Sequence, residues 1–130
     1  MRSIVGTWRL VAAAARDGNG QPLPPPYGAK GMGRVTFSAD GRMMSVVCDG
    51  CPELPIGLQR DYSSYCGNYT FDGARLVTTV DAASDPARIG SEQVRDVRFD
   101  GDRMILRPPP RRSGNRTEQR ELIWELIAPE

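Results

Sequence analysis

Apolar and polar residues alternate along most of this 130-residue chain in short runs, and turn-forming dipeptides separate the runs. A period of two is typical of β-strands with one buried and one exposed face. Asp-Gly occurs five times, and it favours tight turns because Gly adopts a positive φ without strain. These signals predict eight strands, at residues 5–15, 33–38, 42–48, 64–71, 75–81, 92–99, 103–107 and 117–127.

Three of the predicted turns share a frame that consists of an aromatic residue, Asp-Gly and an Arg. The frame reads Phe71-Asp72-Gly73-Ala74-Arg75 and Phe99-Asp100-Gly101-Asp102-Arg103, with a looser copy at Phe37-Ser38-Ala39-Asp40-Gly41-Arg42. We interpret the three segments as hairpins of one design, each with an aromatic residue at the end of its first strand.

Eight strands at hairpin spacing favour an all-β fold, an antiparallel up-and-down β-barrel, because closure removes exposed sheet edges. Helix is expected only as short turns, one within Leu54–Ser64 and one at Pro86–Gly90. Two Pro-rich stretches, Gln21–Tyr27 and Pro108–Pro110, are interpreted as loops because neither divides the chain into viable domains. Residues 1–130 are therefore expected to form a single domain.

The alternation in the first and last strands places both Trp residues of the chain in the barrel interior. A barrel closes by pairing its first strand with its last, so Trp8 and Trp124 are expected to line one core and to bury large apolar areas there. The residues predicted to share the inner face are Trp8, Leu10, Ala12 and Ala14 in the first strand and Arg120, Leu122, Trp124 and Leu126 in the last.

Composition narrows the class of protein. Apolar residues make up 39% of the chain, charged residues 25%, and the net charge is +1. This balance is ordinary for a globular protein and favours neither nucleic acid nor a membrane as partner. No apolar run is long enough to span a membrane, and Arg9 interrupts the apolar start of the chain, so we expect a cytoplasmic protein with reduced thiols.

The chain contains no His. Ser-His-Asp triads, Cys-His dyads, His-ligated haem and most catalytic zinc sites are thereby excluded from a single chain. Cys48 and Cys51 form a C-x-x-C motif, but it follows a strand and precedes Pro52, whereas redox motifs of this kind open a helix. Together with Cys66 only three thiols are present for a zinc site that needs four ligands. We therefore expect incidental thiols, no metal and no cofactor, with a disulfide only in an oxidising compartment.

An arginine-rich run, Arg107–Arg116, contains no acidic residue. Nucleic-acid binding would favour aromatic stacking platforms beside the basic groups, and this run has none. We interpret it as a solvated hairpin loop.

Several segments in order along nearly the whole chain resemble the bacterial lipocalin-like domain family. They are Gly6-Thr7-Trp8-Arg9-Leu10-Val11, Tyr27-Gly28, Gly33 to Phe37, Asp40 to Met43, Ser64 to Tyr69, Pro86, Ile89 to Arg95 and Leu122 to Glu125. The resemblance, with its Gly6-x-Trp8 start, implies a small barrel with an internal cavity for largely apolar molecules. Family members commonly carry a His in the strand before this Pro, where this chain has Thr78 and Thr79, so no function that needs an imidazole base is carried over.

Arg95 is the most informative polar residue, because its strand places it on a face with Val97 and Phe99. An inward-facing guanidinium needs a partner, and a carboxylate or enolate oxygen of a ligand would serve. The alternative is a structural ion pair with Glu92 or Asp61 at the rim.

Tyr65 and Tyr69 share another face, with open space expected between them at Gly67. Phenols in this arrangement can line a pocket and donate hydrogen bonds to a ligand, or the two rings can simply pack in a small core. Three Met residues, Met43, Met44 and Met104, are candidates for a pliable apolar wall.

These patterns favour a barrel that holds a small hydrophobic or amphipathic carboxylate in its lumen, with no nucleic acid and no membrane as partner. The predicted ligand-binding set is Arg95, Tyr65, Tyr69, Trp8, Trp124, Phe37, Met44 and Thr78. An alternative is a cofactor-independent cyclase or isomerase that uses Arg95 and the two Tyr residues to stabilise oxyanion charge. A structural or subunit-interaction protein is expected only if the lumen is filled, and a homodimer is left open. The lack of His and of a clear acid–base pair favours binding over catalysis.

Overall fold

Ten strands and one 3₁₀ helix make up the regular structure of residues 2–129, the part of the chain that the computed structural model describes. The strands are β1 (Gly6–Asp17), β2 (Pro22–Leu23), β3 (Gly31–Phe37), β4 (Arg42–Asp49), β5 (Tyr62–Phe71), β6 (Arg75–Ala83), β7 (Glu92–Asp100), β8 (Arg103–Arg107), β9 (Arg111–Ser113) and β10 (Arg116–Ala128). The 3₁₀ helix spans Pro86–Arg88, between β6 and β7.

Eight long strands form a closed antiparallel barrel in the order β1, β3, β4, β5, β6, β7, β8 and β10. The pairing of β1 with β10 closes it and runs from Thr7 opposite Ala128 to Asp17 opposite Glu118. The predicted eight-stranded barrel is thus confirmed. The short strand β2 pairs with β1 within the predicted loop Gln21–Tyr27. The short strand β9 pairs with β10 within the arginine-rich run Arg107–Arg116, which was interpreted as a solvated loop.

The three hairpins that share a sequence frame lie at one end of the barrel, because they connect β3 to β4, β5 to β6 and β7 to β8. Their glycines have positive φ, at 93° for Gly41, 101° for Gly73 and 61° for Gly101. In the second hairpin the Asp72 Oδ1 atom accepts backbone N–H groups from Ala74 at 2.9 Å and Arg75 at 2.7 Å. The Asp-Gly pairs therefore act as the predicted turns.

Aromatic rings close this end of the barrel, which we call the closed end. Phe37 and Tyr69 meet edge to face with ring centroids 5.2 Å apart, and Phe71 and Phe99 meet at 6.5 Å. Trp8 is only 2% exposed, and its Nε1 atom donates to the Ile4 carbonyl oxygen at 2.9 Å. The N-terminal Trp is therefore anchored in the core, as the strand pattern predicts.

Two register shifts change the inner face predicted for the terminal strands. A bulge lets Leu10 pair with Trp124 and Ala12 with Ile123. Because one extra residue reverses the alternation, Ala15 is buried whereas Ala12 and Ala14 are exposed, so the prediction for these two was wrong. Leu126 was also expected inside, but it lies at the rim beside a second bulge and is 41% exposed.

The two predicted helical turns have different outcomes. The 3₁₀ helix at Pro86–Arg88 confirms one of them, and the Asp85 side chain caps it by accepting the Ala87 N–H at 3.0 Å. The segment Leu54–Ser64 has no helix: a tight turn closes with the Leu58 N–H donating to the Pro55 oxygen at 3.1 Å, and β5 begins at Tyr62. Gly57 adopts a φ of 87°, which favours such a turn over a helix.

None of the helical structure in residues 2–129 is long and apolar enough to cross a membrane.

We expect Trp8→Ala to lower the free energy of unfolding by about 3–5 kcal/mol, because it empties a large volume in the core and removes a buried hydrogen bond. Urea titration followed by circular dichroism measures this loss. Met44→Ala, at a side chain that is 64% exposed, is the matched control and should change stability by less than about 0.5 kcal/mol. Equal stability of Trp8→Ala and the parent would contradict the anchoring role of Trp8.

Candidate functional site

A cavity of about 270 Å³ occupies the barrel interior toward the end opposite the closed end, which we call the open end. Its deeper wall is apolar and includes Val35, Met43, Leu76, Leu106 and Trp124. Residues from the connections at the open end, among them Tyr27, Pro108 and Pro109, form its mouth. We call this space the lumen cavity.

Five charged side chains contribute to the lining of the lumen cavity: Arg88, Arg95, Arg111, Arg120 and Glu118. Glu118 pairs with two arginines, one on β9 and one on β10. Its Oε1 atom accepts from the Nε atom of Arg111 at 3.0 Å and from the Nε atom of Arg120 at 2.6 Å. Burial raises the pKa of this carboxyl, but the two guanidinium groups outweigh burial and hold the pKa below its usual value.

Arg95 is half-buried on β7, and its described partners are neutral. Its Nη1 atom donates to the Val94 carbonyl oxygen at 2.8 Å and its Nη2 atom donates to Gln93 Oε1 at 3.2 Å. Neither Glu92 nor Asp61, the alternative partners expected from the sequence, forms an ion pair with it, and no other carboxylate in residues 2–129 does. The structural ion pair is therefore not formed.

Arg88, in the 3₁₀ helix before β7, also has neutral partners. Its Nη1 atom donates to Ser63 Oγ at 3.4 Å, and its guanidinium carbon lies 5.6 Å from the centroid of the Tyr65 ring. Within the described part of the chain it too has no carboxylate partner. Sequence reasoning missed Arg88 because strand alternation assigns no direction to a side chain in a connection.

A chain of hydrogen bonds joins the two arginines. Gln93 accepts from Arg95 through Oε1 and donates through Nε2 to Ser91 Oγ at 3.1 Å. The Ser91 hydroxyl in turn donates to the Arg88 carbonyl oxygen at 2.5 Å. The Gln93 oxygen accepts and its nitrogen donates, so these two bonds fix the orientation of the amide. The chain of bonds also connects β7 to the 3₁₀ segment that carries Arg88.

The structure separates the eight predicted ligand-binding residues into three groups: residues that line the lumen cavity, buried residues that do not line it, and the exposed Met44. Arg95, Tyr65 and Trp124 line the lumen cavity. Trp8, Phe37, Tyr69 and Thr78 are buried or partly buried but do not line it. For Tyr69 the hydroxyl donates to the Ser38 carbonyl oxygen at 2.7 Å, which holds the ring at the closed end.

Met44 was predicted to line the lumen, and this prediction was wrong. Phe37 pairs with Met43, which faces the core and is 3% exposed, so its neighbour Met44 points outward by strand alternation. Met44 instead lines an external groove of about 730 Å³ across β3 to β6, together with Val46, Tyr62 and Cys66.

The open space expected at Gly67 is also absent. A Cβ atom at Gly67 would lie 1.9 Å from the Thr79 carbonyl oxygen. A bulge between Cys66 and Gly67 brings the β6 backbone this close, so Gly67 permits strand contact and does not widen the pocket.

All three cysteines are free thiols in this structure. No group of three or more Cys, Asp or Glu side chains in residues 2–129 is arranged to hold a metal ion. The arginine-rich run includes the short strand β9, and Pro108, Pro109 and Arg111 from it line the lumen cavity.

Comparison with curated proteins and with solved structures gives no match. A family model described as the lipocalin-like domain matches residues 5–128, which is nearly the whole chain. The match covers all ten strands of the barrel, including the Gly6-x-Trp8 start and the closing strand. This chain belongs to the lipocalin-like domain family.

Proposed function

We propose that the lumen cavity binds a compact amphipathic carboxylate, with Arg95 as the anchor of its acid group. A lipocalin-like barrel indicates small-molecule binding in general. The observation that carries the finer proposal is the Arg95 guanidinium, which lines the same cavity as an apolar wall and has only neutral partners among residues 2–129.

The bonding capacity of Arg95 supports this anchor. A guanidinium carries five N–H donors in a planar fork, and the two described bonds of Arg95 use two of them. A carboxylate binds such a fork through two parallel hydrogen bonds, which are stronger than bonds between neutral groups. The bound acid would therefore supply the charge partner that the barrel does not.

The size and lining of the cavity limit the rest of the ligand. Its volume of about 270 Å³ lies at the lower end of the roughly 300–1,000 Å³ typical of ligand pockets. The apolar wall formed by Val35, Met43, Leu76, Leu106 and Trp124 favours a hydrocarbon or aromatic body. A medium-chain or small aromatic acid fits this description better than a long acyl chain. A cavity of this volume also argues against a barrel whose lumen is filled by its own side chains.

The cyclase or isomerase alternative gains no support from the lining. Glu118 is the one carboxylate among the described lining residues, and its two Arg partners keep it ionised with a lowered pKa. A general acid works best with a pKa near the operating pH, and Glu118 is displaced from that range. We therefore retain binding as the proposed function.

Octanoate and octanol are matched probes of the anchor, because they share an eight-carbon chain and differ in charge. Arg95→Met keeps most of the side-chain length and removes the charge, so octanoate affinity should fall by about 1.5–3 kcal/mol, the range for a hydrogen bond to a charged group. Octanol affinity should change much less. Titration followed by Trp fluorescence measures both, since Trp124 lines the cavity.

Three outcomes would contradict the proposal. Equal losses for octanoate and octanol would show that Arg95→Met deforms the barrel. Unchanged octanoate affinity would show that Arg95 is not the anchor. Failure of both probes to bind the folded parent protein would exclude a ligand of this kind from the lumen.

Gln93→Glu provides a test from the protein side, because it places a carboxylate where the Gln93 amide oxygen now accepts from Arg95. The internal acid should occupy the guanidinium and weaken octanoate binding at least tenfold while the melting temperature stays close to that of the parent. Gln93→Met is the matched control, since it removes the amide without adding charge and should weaken binding by less than about threefold. Isothermal titration calorimetry distinguishes the variants, and equal affinities of Gln93→Glu and Gln93→Met for octanoate would contradict the anchor.

A further inference from the structure

We propose that the ligand of the lumen cavity is a dianion, with Arg88 as a second anionic contact beside Arg95. This inference rests on the proposed function, because it specifies the ligand class of the same cavity. It adds a residue that the sequence pattern did not identify and a charge that a simple carboxylate does not have.

The distribution of charge in the cavity lining is the first argument. Four Arg and one Glu are among the described lining residues. Glu118 is shared by Arg111 and Arg120 on the side of β9 and β10. Arg88 and Arg95, on the side of β7, are left with neutral partners in residues 2–129. Two guanidinium groups therefore face one cavity without a described carboxylate partner. The lining as a whole has an excess of three positive charges, because Arg111 and Arg120 share one carboxylate. A ligand with two negative charges reduces this excess more than a monoanion does.

The fixed position of Arg88 is the second argument. Its side chain is only partly exposed, bonds to Ser63 Oγ and lies over the Tyr65 ring. Ser63 and Tyr65 line the same cavity. Packing of a guanidinium on an aromatic face restricts its motion and weakens its hydration. Arg88 is thereby held at the cavity mouth as a preorganised contact, unlike a freely solvated surface arginine.

The hydrogen-bond chain between the two arginines is the third argument. Gln93 and Ser91 connect the Arg95 guanidinium to the backbone of Arg88 through three bonds of fixed direction. The link contains no acidic group, so it orders the Arg95 guanidinium and the Arg88 backbone without neutralising either arginine, while Ser63 and Tyr65 hold the Arg88 guanidinium. Two cations held in a fixed relation favour an anion that contacts both, because little ordering is needed when it binds.

Two ligand types share this chemistry. A short dicarboxylate carries its charges at separate ends, whereas an alkyl phosphate carries both charges on one group. Octanedioate and octyl phosphate represent them, and octanoate is the monoanion of equal chain length. At pH 8 both probes are dianions, and isothermal titration calorimetry compares all three with the parent protein.

We expect at least one dianion to bind the parent about three- to fivefold more tightly than octanoate, the gain of one added charge pair at a partly exposed site. Arg88→Met should abolish this preference, because it weakens the dianion about three- to fivefold more than it weakens octanoate. Arg88→Lys, which keeps the charge, should restore part of the preference. Arg75→Met removes an exposed arginine that does not line the cavity and should leave the preference intact.

The outcomes separate the two proposals. If octanoate binds through Arg95 as tightly as both dianions, or if Arg88→Met weakens all three probes equally, the dianion inference is overturned while the proposed function stands. If none of the probes binds the folded parent, both are overturned. A dianion preference that persists in Arg88→Met would exclude Arg88 as the second contact.

Discussion

The pairing of the first long strand with the last is the constraint on which the rest of this structure depends. It runs along β1 from Thr7 to Asp17 and removes the exposed edges that an open sheet would leave. Closure anchors Trp8 near the chain terminus, and the register places Trp124 opposite Leu10. The bulge in this pairing is needed as much as the pairing itself, since it reverses the alternation of β1 and directs Ala15 inward. The lumen cavity exists because these two strands close around it.

Closure gives the barrel two ends with different chemistry. In an up-and-down barrel every second connection lies at the same end, so the hairpins that begin with Phe37, Phe71 and Phe99 meet there. Their rings and Trp8 fill that end, whereas the opposite connections supply Arg88, Pro108 and Pro109 to the cavity mouth. An apolar plug at one end and a basic mouth at the other produce a pocket with an apolar interior and a charged entrance. This gradient supports the proposal of an amphipathic acid as the ligand.

The features that could be predicted from the sequence are those that local physics determines. Strand alternation and Gly-dependent turns depend on neighbours in the chain, so the barrel, its order and the buried Trp residues follow from them. Alternation assigns a face but not a depth, which is why Phe37, Tyr69 and Thr78 face inward but lie outside the cavity lining. It also fails where a bulge shifts the parity, as in β1. Two adjacent apolar residues such as Met43 and Met44 must face opposite sides of a strand, so only one of them can line the lumen. The Arg88 contact depends on a non-local approach of the 3₁₀ segment to Tyr65, for which the sequence carries no local signal.

The contrast between Glu118 and Gln93 shows that one side of the cavity contains a carboxylate partner for its arginines and the other side does not. Glu118 gives two arginines an internal counter-charge, and the resulting hydrogen bonds tie β9 to β10 at the mouth. Gln93 occupies the corresponding role beside Arg95 with a neutral amide, whose oxygen accepts one hydrogen bond and whose nitrogen continues the chain to Ser91. A carboxylate at this position would pair with Arg95 but could not donate to Ser91. The amide therefore orders the β7 side of the cavity and leaves the positive charge of Arg95 available to a ligand. The charged end of a ligand would face β7 and the Arg88 segment, away from β9 and β10, where Glu118 pairs with Arg111 and Arg120.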